Sequence, residues 1–322
     1  MIGAGPCGIA VGVAACEAGV SCVLFDKGSV TSTLIDYPTH MTFFSTAERL
    51  EVGGIPFISI SPKPTRMEAL KYYRRVVQHF ALDVRQYEDV IAVSGVRGAF
   101  RIETTRAGGE RSTYEARNVA VATGYYDTPC LLGIPGEDLP KVSHYYHEGH
   151  PYFQQDCVVI GGSNSAADVA LDLFRAGARV TLVHFLDKLD PNVKPWVLPD
   201  VMNRIDSGEI ATRWRSRVVE IRPRSVVLRN EADGAAEAIP NDWVFAMTGY
   251  RPDPRILRSL GARIDETSGI PAFDPETMES NVPGVYIAGV IAAGNNANKI
   301  FIENGREHGP RIVRSIMEGR HT

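Results

Sequence analysis

The apolar positions of the chain fall into two blocks of the same design. IGAGPCGIAVGVAACEAGVSCVLFD and VVIGGSNSAADVALDLFRAGARVTLVHF each pass from an apolar strand end through a glycine-rich turn, a helical stretch and an Ala-Gly break into a second apolar strand. Both patterns predict a βαβ unit whose ligand loop is the strand-to-helix turn. Gly3 to Asp26 and Gly161 to His184 both span 23 positions, so the two second-strand ends lie in register. A β-rich segment around 90–120 runs into ARNVAVATGYYDTP, and NDWVFAMTGYRPDP repeats its apolar-strand-then-Thr-Gly ending. These two segments read as paired crossovers. They predict a domain over 127–250 inserted into one built from 1–126 and 251–322, with Gly124 and Gly249 as pivots. The tail offers a strand and turn in GVYIAGVIAAGNN, then a helix through KIFIENGREHGPRIVRSIMEG. The expected class is α/β, with two Rossmann-like three-layer (ββα/βαβ) dinucleotide-binding domains.

Only Met1 and Ile2 precede Gly3, whereas the central strand of such a sheet usually has about 5–6 residues. The expectation is that further apolar residues precede this start in the natural protein. Composition then removes whole classes of function. With 44% hydrophobic and 22% charged residues, the 322-residue chain reads as globular rather than disordered, and no apolar run is long enough to span a membrane. A net charge of -4 with interspersed signs provides neither a basic stripe for nucleic acid nor a polybasic membrane anchor. The expected partners are small molecules or proteins, and the expected address is the cytoplasm. Five scattered cysteines, with no C-x-x-C among them, give no disulfide framework and no zinc site, so no metal is expected.

In the first loop Gly3 allows the tight turn, Gly5 lets backbone approach a pyrophosphate, and Gly8 permits close helix packing. The phosphates would then meet N–H groups at a helix start. Asp26, at the end of the second strand, suits an adenosine ribose diol and therefore FAD or NAD. The second loop, Gly161-Gly162-Ser163-Asn164-Ser165-Ala166, has serine at the second glycine position and alanine, which is acceptable, at the third. His184 with Lys188 tilts the second unit toward NADP, although His184 reads equally as an exposed histidine at a strand end.

Two readings of Cys7 stay open on the sequence. At a helix start, N–H groups and the helix dipole stabilise a thiolate able to attack a small disulfide. A neighbouring pyrophosphate would oppose that charge, and position 7 also suits a small hydrophobe. Cys16, Cys22, Cys130 and Cys157 are assigned no chemistry.

With these residues in view, the chain resembles the low-molecular-weight thioredoxin reductases. More specifically, GPCG, YPTHMTFFSTAERLEVGGIPF, GGSNSAADVALDL and AGVIAAGNNANKIFIENGREHG resemble the YpdA-type bacillithiol disulfide reductase family over nearly the whole chain. The resemblance implies FAD in the domain formed by the chain ends and NADPH in the inserted one. It also implies a low-molecular-weight disulfide as substrate, Cys7 as the catalytic thiol and a homo-oligomer. A ferredoxin or flavodoxin NADP reductase is the alternative, because related folds without C-x-x-C serve that role. Gly3, Gly5 and Gly8 would face the FAD pyrophosphate and Asp26 its ribose. The loop Gly161, Gly162, Ser163, Asn164, Ser165 and Ala166 would hold the NADPH phosphates, with His184 and Lys188 near the 2′-phosphate. Pro6, Lys27, Ser45, Thr123, Gly124, Gly289 and Lys299 complete the expected cofactor-binding set. Val290 follows Gly289 where most such flavoproteins have an acid on the ribityl chain, leaving Asn295, Asn296, Asn298 or Lys299 as substitutes.

Other polar residues offer further candidates. Thr39, His40, Ser45 and Glu48 lie in a segment suited to lining the flavin, and His40 has the pKa range to protonate a departing thiolate. More often such a histidine is merely a satisfied loop residue. Glu303 and Arg306, three apart, read as a solvated pair. PNVKPWVLPD (191–200) reads as a loop with no assigned chemistry.

Overall fold

The computed structural model describes residues 1–296 and 299–319, so Asn298 lies outside the described residues. The chain divides into two compact units, Met1–Ile35 with Met41–Thr128 and Tyr250–Thr322, and Asp36–His40 with Pro129–Gly249. Asp36–His40 thus belongs to the second unit, where Thr39 N–H donates to the His147 carbonyl at 2.8 Å.

The first unit opens with α1 (Pro6–Glu17), β1 (Val23–Phe25), α2 (Arg66–His79) and β2 (Asp83–Arg85). A three-stranded antiparallel meander follows, β3 (Glu88–Val96), β4 (Ala99–Arg106) and β5 (Arg111–Ala116), and then β6 (Val119–Val121). Pro6 is at the first helical position, where its missing N–H costs nothing. α2 starts on a capping box in which Thr65 and Glu68 satisfy each other's backbone N–H.

The second unit contains β7 (Val142–Ser143), β8 (Asp156–Ile160), α3 (Asn164–Arg175), β9 (Arg179–Val183), α4 (Leu198–Asp206) and β10 (Ile210–Arg213). A second meander, β11 (Ser216–Arg222), β12 (Ser225–Asn230) and β13 (Ala236–Pro240), leads to β14 (Trp243–Ala246). Its parallel sheet has the order β10-β9-β8-β14-β7. The pleat sorts this sheet's side chains into two cores. Val158, Ile160, Val183 and Val244 pack with Val218, Ile221, Val226 and Leu228 of the meander. Cys157, Val159, Leu182 and Phe245 pack instead with Ala167, Ala170, Leu171 and Leu173 of α3. Three layers are the result. The stretch 191–200 is not wholly a loop, because α4 begins at Leu198 with Pro199 tolerated in its first turn.

The chain then returns to the first unit through α5 (Arg255–Ser259), β15 (Val285–Ile287), α6 (Ile302–Gly305) and α7 (His308–Glu318). The single helix expected across 299–319 is broken between α6 and α7. Pro310 explains the break: it cannot donate to the Arg306 carbonyl and is accommodated only in a first turn.

Ahead of Gly3 there is a one-residue bridge in place of a strand. Ile2 pairs in parallel with both Phe25 and Val121, and so links β2-β1 on one side to β6-β15 on the other. Ile2 N–H donates to Ala120 at 2.9 Å, Ala122 N–H to Ile2 at 2.8 Å, and Gly3 N–H to Phe25 at 2.7 Å. Buried against this sheet lies α1, apolar on all sides, and α7 crosses it at Gly309. A Cβ at Gly309 would lie 2.5 Å from the Ala10 carbonyl oxygen. Gly309→Ala should therefore destabilise the first unit by about 1–3 kcal/mol, read as a lower thermal or urea midpoint. An unchanged midpoint would mean that α7 shifts freely on α1.

Candidate functional site

In the first unit the glycine loop leaves the Ile2 bridge at once. Gly3 has φ +100°, and a Cβ there would lie 2.4 Å from the Ala122 carbonyl oxygen. A Cβ at Gly8 would lie 2.0 Å from the Gly3 carbonyl oxygen, so the loop and the first turn of α1 are in direct backbone contact. Gly5 differs: its Cβ would meet nothing within 4 Å, so the loop is open on that side. No side chain caps α1, so the orphan N–H groups expected of a helix start have no side-chain acceptor beside this opening.

Asp26 closes the loop from the end of β1. Its Oδ2 accepts from Ala4 N–H at 2.8 Å, and its Oδ1 accepts from Gly28 N–H at 2.8 Å and Ser32 Oγ at 3.1 Å. A carboxylate has about four acceptor positions, so room for a ribose hydroxyl remains. Thr123 Oγ1, just past β6, is buried with no hydrogen-bond partner. Next to it Gly124 has φ +72° and open space at its Cβ position. An uncapped helix start, an open glycine and an orphaned hydroxyl at adjacent strand ends fit a dinucleotide.

The remaining expected residues of this unit have mixed surroundings. Lys27 is exposed and paired with Asp127 at 2.8 Å, while Ser45 is buried. Lys299 is exposed, and its carbonyl accepts from Asn304 Nδ2 at 3.0 Å. Asn295 Nδ2 donates to the Thr267 carbonyl at 3.3 Å, which commits it to the 267–269 turn. Glu303 and Arg306 do not pair with each other. Glu303 faces Arg49 at 3.7 Å, and Arg306 Nη1 donates to the Glu48 carbonyl at 3.1 Å and to that of Glu51. Both therefore hold down the 47–51 segment. His308, one of the polar residues at helical spacing in the tail with Lys299, Glu303, Asn304 and Arg306, is buried on α7, and its Nδ1 accepts from Gly289 N–H at 3.0 Å. Burial lowers its pKa to about 4, so the accepting nitrogen is unprotonated at neutral pH.

Cys7 is in the first turn of α1, with its sulfur beside two glycines. A Cβ at Gly289 would come within 3.1 Å of Sγ, and one at Gly305 within 2.8 Å. Burial pushes the Cys7 thiol up to about 12, against the lowering expected from a helix start. The resting group is a neutral thiol in a close-packed niche.

In the second unit Gly161 has φ +142°, and a Cβ there would lie 2.5 Å from the Met247 carbonyl oxygen. Ala166 is fully buried beneath it, Ser163 precedes α3 without capping it, and Ser165 is exposed on the first turn. Asn164 faces a strap formed by 190–194. Its Nδ2 donates to Asn192, its Oδ1 accepts from Lys194 N–H at 2.8 Å, and Lys194 Nζ reaches Asp168 at 2.6 Å. Asp190 N–H donates to the Gly162 carbonyl at 2.8 Å. Asn164 is thus a latch for the strap, which limits its side chain as a phosphate contact.

His184 is not exposed at its strand end. It is 7% exposed, a Cβ at Gly162 would touch its ring at 2.4–2.5 Å, and burial lowers its pKa, so the ring is neutral. Lys188 is exposed. Three arginines that pattern reasoning missed flank this end. Arg213 is held by Glu237 through two bonds at 2.8 and 2.9 Å. Arg215 meets Asp187 at 3.3 Å, and Arg217 meets Glu231 at 3.2 Å while lying 4.4 Å over the Phe185 ring. The last two carboxylate contacts join half-exposed groups and are worth at most about 1 kcal/mol each. WRSR reads as an ordinary charged turn, and only pairing of β10 with β9 brings it here.

Among the described residues, no helix is long and apolar enough to cross a membrane and no acid, His and Cys cluster is placed to hold a metal. The profile of the pyridine nucleotide-disulphide oxidoreductases matches residues 1–289. The bacilliredoxin reductase Bdr of Bacillus subtilis (strain 168) is 47% identical over 319 residues, covering 99% of this chain and 97% of its own. A solved bacillithiol disulfide reductase Bdr (YpdA) from Bacillus cereus is 45% identical, with TM-score 0.96 and 99% and 98% of the two chains covered. Its counterpart from Staphylococcus aureus is 42% identical, with TM-score 0.93 and 99% and 97% covered. Thioredoxin reductases share the fold at lower identity.

Gly5→Ala should leave the thermal midpoint of the ligand-free protein unchanged, because the added carbon meets no protein atom, yet reduce dinucleotide retention after purification. Equal retention, read from cofactor absorbance per chain, would remove the loop from the binding site. A thiol with a pKa of about 12 is ionised to roughly one part in 10⁵ at pH 7. Alkylation of Cys7 by iodoacetamide, followed by peptide mass spectrometry, should thus accelerate about tenfold per pH unit from pH 7 to 10. A rate that levels off below pH 8 would contradict the burial effect.

Proposed function

Because the chain belongs to the pyridine nucleotide-disulphide oxidoreductase family, we propose that it is an NADPH-driven flavoprotein that reduces bacillithiol disulfide to two thiols. The fold is that of the thioredoxin reductases, two dinucleotide-binding units of three layers each. The observation that carries the substrate is near-complete coverage at 45% identity by a bacillithiol disulfide reductase, in a chain with no C-x-x-C relay of its own. Bound FAD supplies a two-electron carrier between the pyridine nucleotide and the disulfide.

In this reading the first unit, expected at 1–126 and 251–322, is the FAD domain and the inserted 127–250 the NADPH domain. The protein acts in the cytoplasm as a homo-oligomer. The backbone at Gly3, Gly5, Pro6 and Gly8 presents the start of α1 to the FAD pyrophosphate, and Asp26 offers its remaining acceptor position to the ribose. Thr123 contributes its free hydroxyl, with Lys27, Ser45, Gly124, Gly289 and Lys299 around it. In the second unit Gly161, Gly162, Ser163, Ser165 and Ala166 present the start of α3 to the NADPH phosphates, and Asn164 holds the strap beside them.

Cys7 is the group that touches the disulfide. Its sulfur bonds to one sulfur of the substrate, the substrate's S–S bond breaks, and the Cys7 proton passes to the departing thiol. The hydride equivalent of NADPH, two electrons with one hydrogen, and one solvent proton then release the second thiol and restore Cys7–SH. The sum is one disulfide, one NADPH and one proton giving two thiols and NADP⁺.

The test is anaerobic reduction of the purified protein with NADPH, followed by stopped-flow mixing with bacillithiol disulfide, oxidised bacilliredoxin, ferredoxin or flavodoxin. Disulfide should reoxidise the flavin. Cys7→Ala should slow that step at least 100-fold while leaving reduction by NADPH intact. Reoxidation by ferredoxin or flavodoxin alone would overturn the substrate, and full disulfide turnover in Cys7→Ala would remove Cys7 from the chemistry.

A further inference from the structure

We propose that the 2′-phosphate of NADPH is gripped by Arg215, on the turn between β10 and β11, and Arg217, at the start of β11, and not by side chains at the end of β9. The inference rests on NADPH being the reductant of the second unit. In a βαβ nucleotide fold the adenosine ribose lies at the end of the second strand, here at Val183 and His184. The residue placed there by sequence spacing provides no cation: the His184 ring is turned in over Gly162 and buried. Lys188, the other candidate, stands between Asp187 and Asp190, ahead of the strap.

The neighbouring strand supplies what β9 lacks. β10 runs parallel to β9 with Arg213 opposite Val183, and the pairing continues past both strand ends. His184 N–H donates to the Arg213 carbonyl at 3.0 Å, Ser216 N–H to the His184 carbonyl at 3.0 Å, and Arg215 N–H to the Leu186 carbonyl at 2.9 Å. The turn 213–217 is thereby laid along 183–186, and its arginines flank the ribose end. Of the three, Arg213 is locked by two hydrogen bonds to Glu237. Arg215 and Arg217 each face their carboxylate at more than 3 Å and half-exposed, so a phosphate replaces one anion with another. Phe185 supports the Arg217 guanidinium from below, fixing its plane before ligand arrives. A guanidinium fork suits phosphate oxygens better than the point charge of a lysine.

The experiment compares 2′,5′-ADP with 5′-AMP, which differ only in the 2′-phosphate, by calorimetric titration of the flavin-loaded protein. Wild type should prefer 2′,5′-ADP. Arg215→Gln and Arg217→Gln should each weaken 2′,5′-ADP about tenfold, leave 5′-AMP and the thermal midpoint unchanged, and flatten the salt dependence of 2′,5′-ADP binding. Lys188→Gln should change neither ligand. Full 2′,5′-ADP affinity in the double arginine variant, or loss of the preference in Lys188→Gln alone, overturns the assignment. An equal loss for both ligands also overturns it, because the arginines would then serve the adenosine or the fold. A wild type that binds both ligands alike refutes the NADPH reading itself, and the arginine assignment falls with it.

Discussion

The first unit depends on one bridge, the pairing of Ile2 between β1 and β6. Two short parallel pairs, β2-β1 and β6-β15, lie on either side of Ile2, which joins them through backbone hydrogen bonds on both sides. Each such bond contributes only about 0.5–1.5 kcal/mol net, but all of them act at the point where the glycine loop begins. The direction of α1 follows from this. Gly3 turns against Ala122, Gly8 seats on the Gly3 carbonyl, and Asp26 ties Ala4 to Gly28, so the helix start is fixed relative to three strand ends. The loop is rigid wherever it touches protein and open only at Gly5. A dinucleotide site made of backbone needs that combination, because backbone donors cannot rotate toward a ligand as side chains do.

The two units solve the same problem with different parts. In the first, an acid at the second-strand end braces the loop through hydrogen bonds to its backbone. In the second, a histidine at the corresponding position braces it by packing, its ring filling the space that a side chain at Gly162 would need. Asn164 and Lys194 then fasten a strap across the start of α3. Equal spacing between the loop and these two residues reflects equal architecture, and the ends differ in chemistry, an acid that accepts hydrogen bonds from loop backbone in one and a neutral packing group in the other.

Cys7 shows how the competing effects are decided by size. A helix start favours a thiolate by about 0.3–1 kcal/mol, rising to about 2 in favourable geometry. Burial against Gly289 and Gly305 moves the thiol from 9.0 to about 12, on the order of 4 kcal/mol in the other direction. Burial prevails, so the resting sulfur carries its proton. His308 contributes indirectly, holding the Gly289 loop against α7 as a neutral acceptor and so fixing one wall of the sulfur's niche.

Local pattern determined the repeated βαβ design, the two glycine loops and the placement of Asp26 at a strand end, because each is encoded in neighbouring residues with a fixed period. It determined the chain's membership equally well, since the absence of C-x-x-C and the segments around 37–57 and 288–309 need no folding to be read. Tertiary structure decided the rest. The helix start promised a lowered thiol pKa, but glycines some 280 and 300 residues away supplied the burial that raised it. Spacing put His184 at a strand end, and whether its ring turned in or out depended on Gly162 across the loop. Arg215 and Arg217 became candidates only because β10 chose β9 as its neighbour. Strand pairing and burial join residues distant in the chain, and a pattern read along one dimension holds no distances across the sheet.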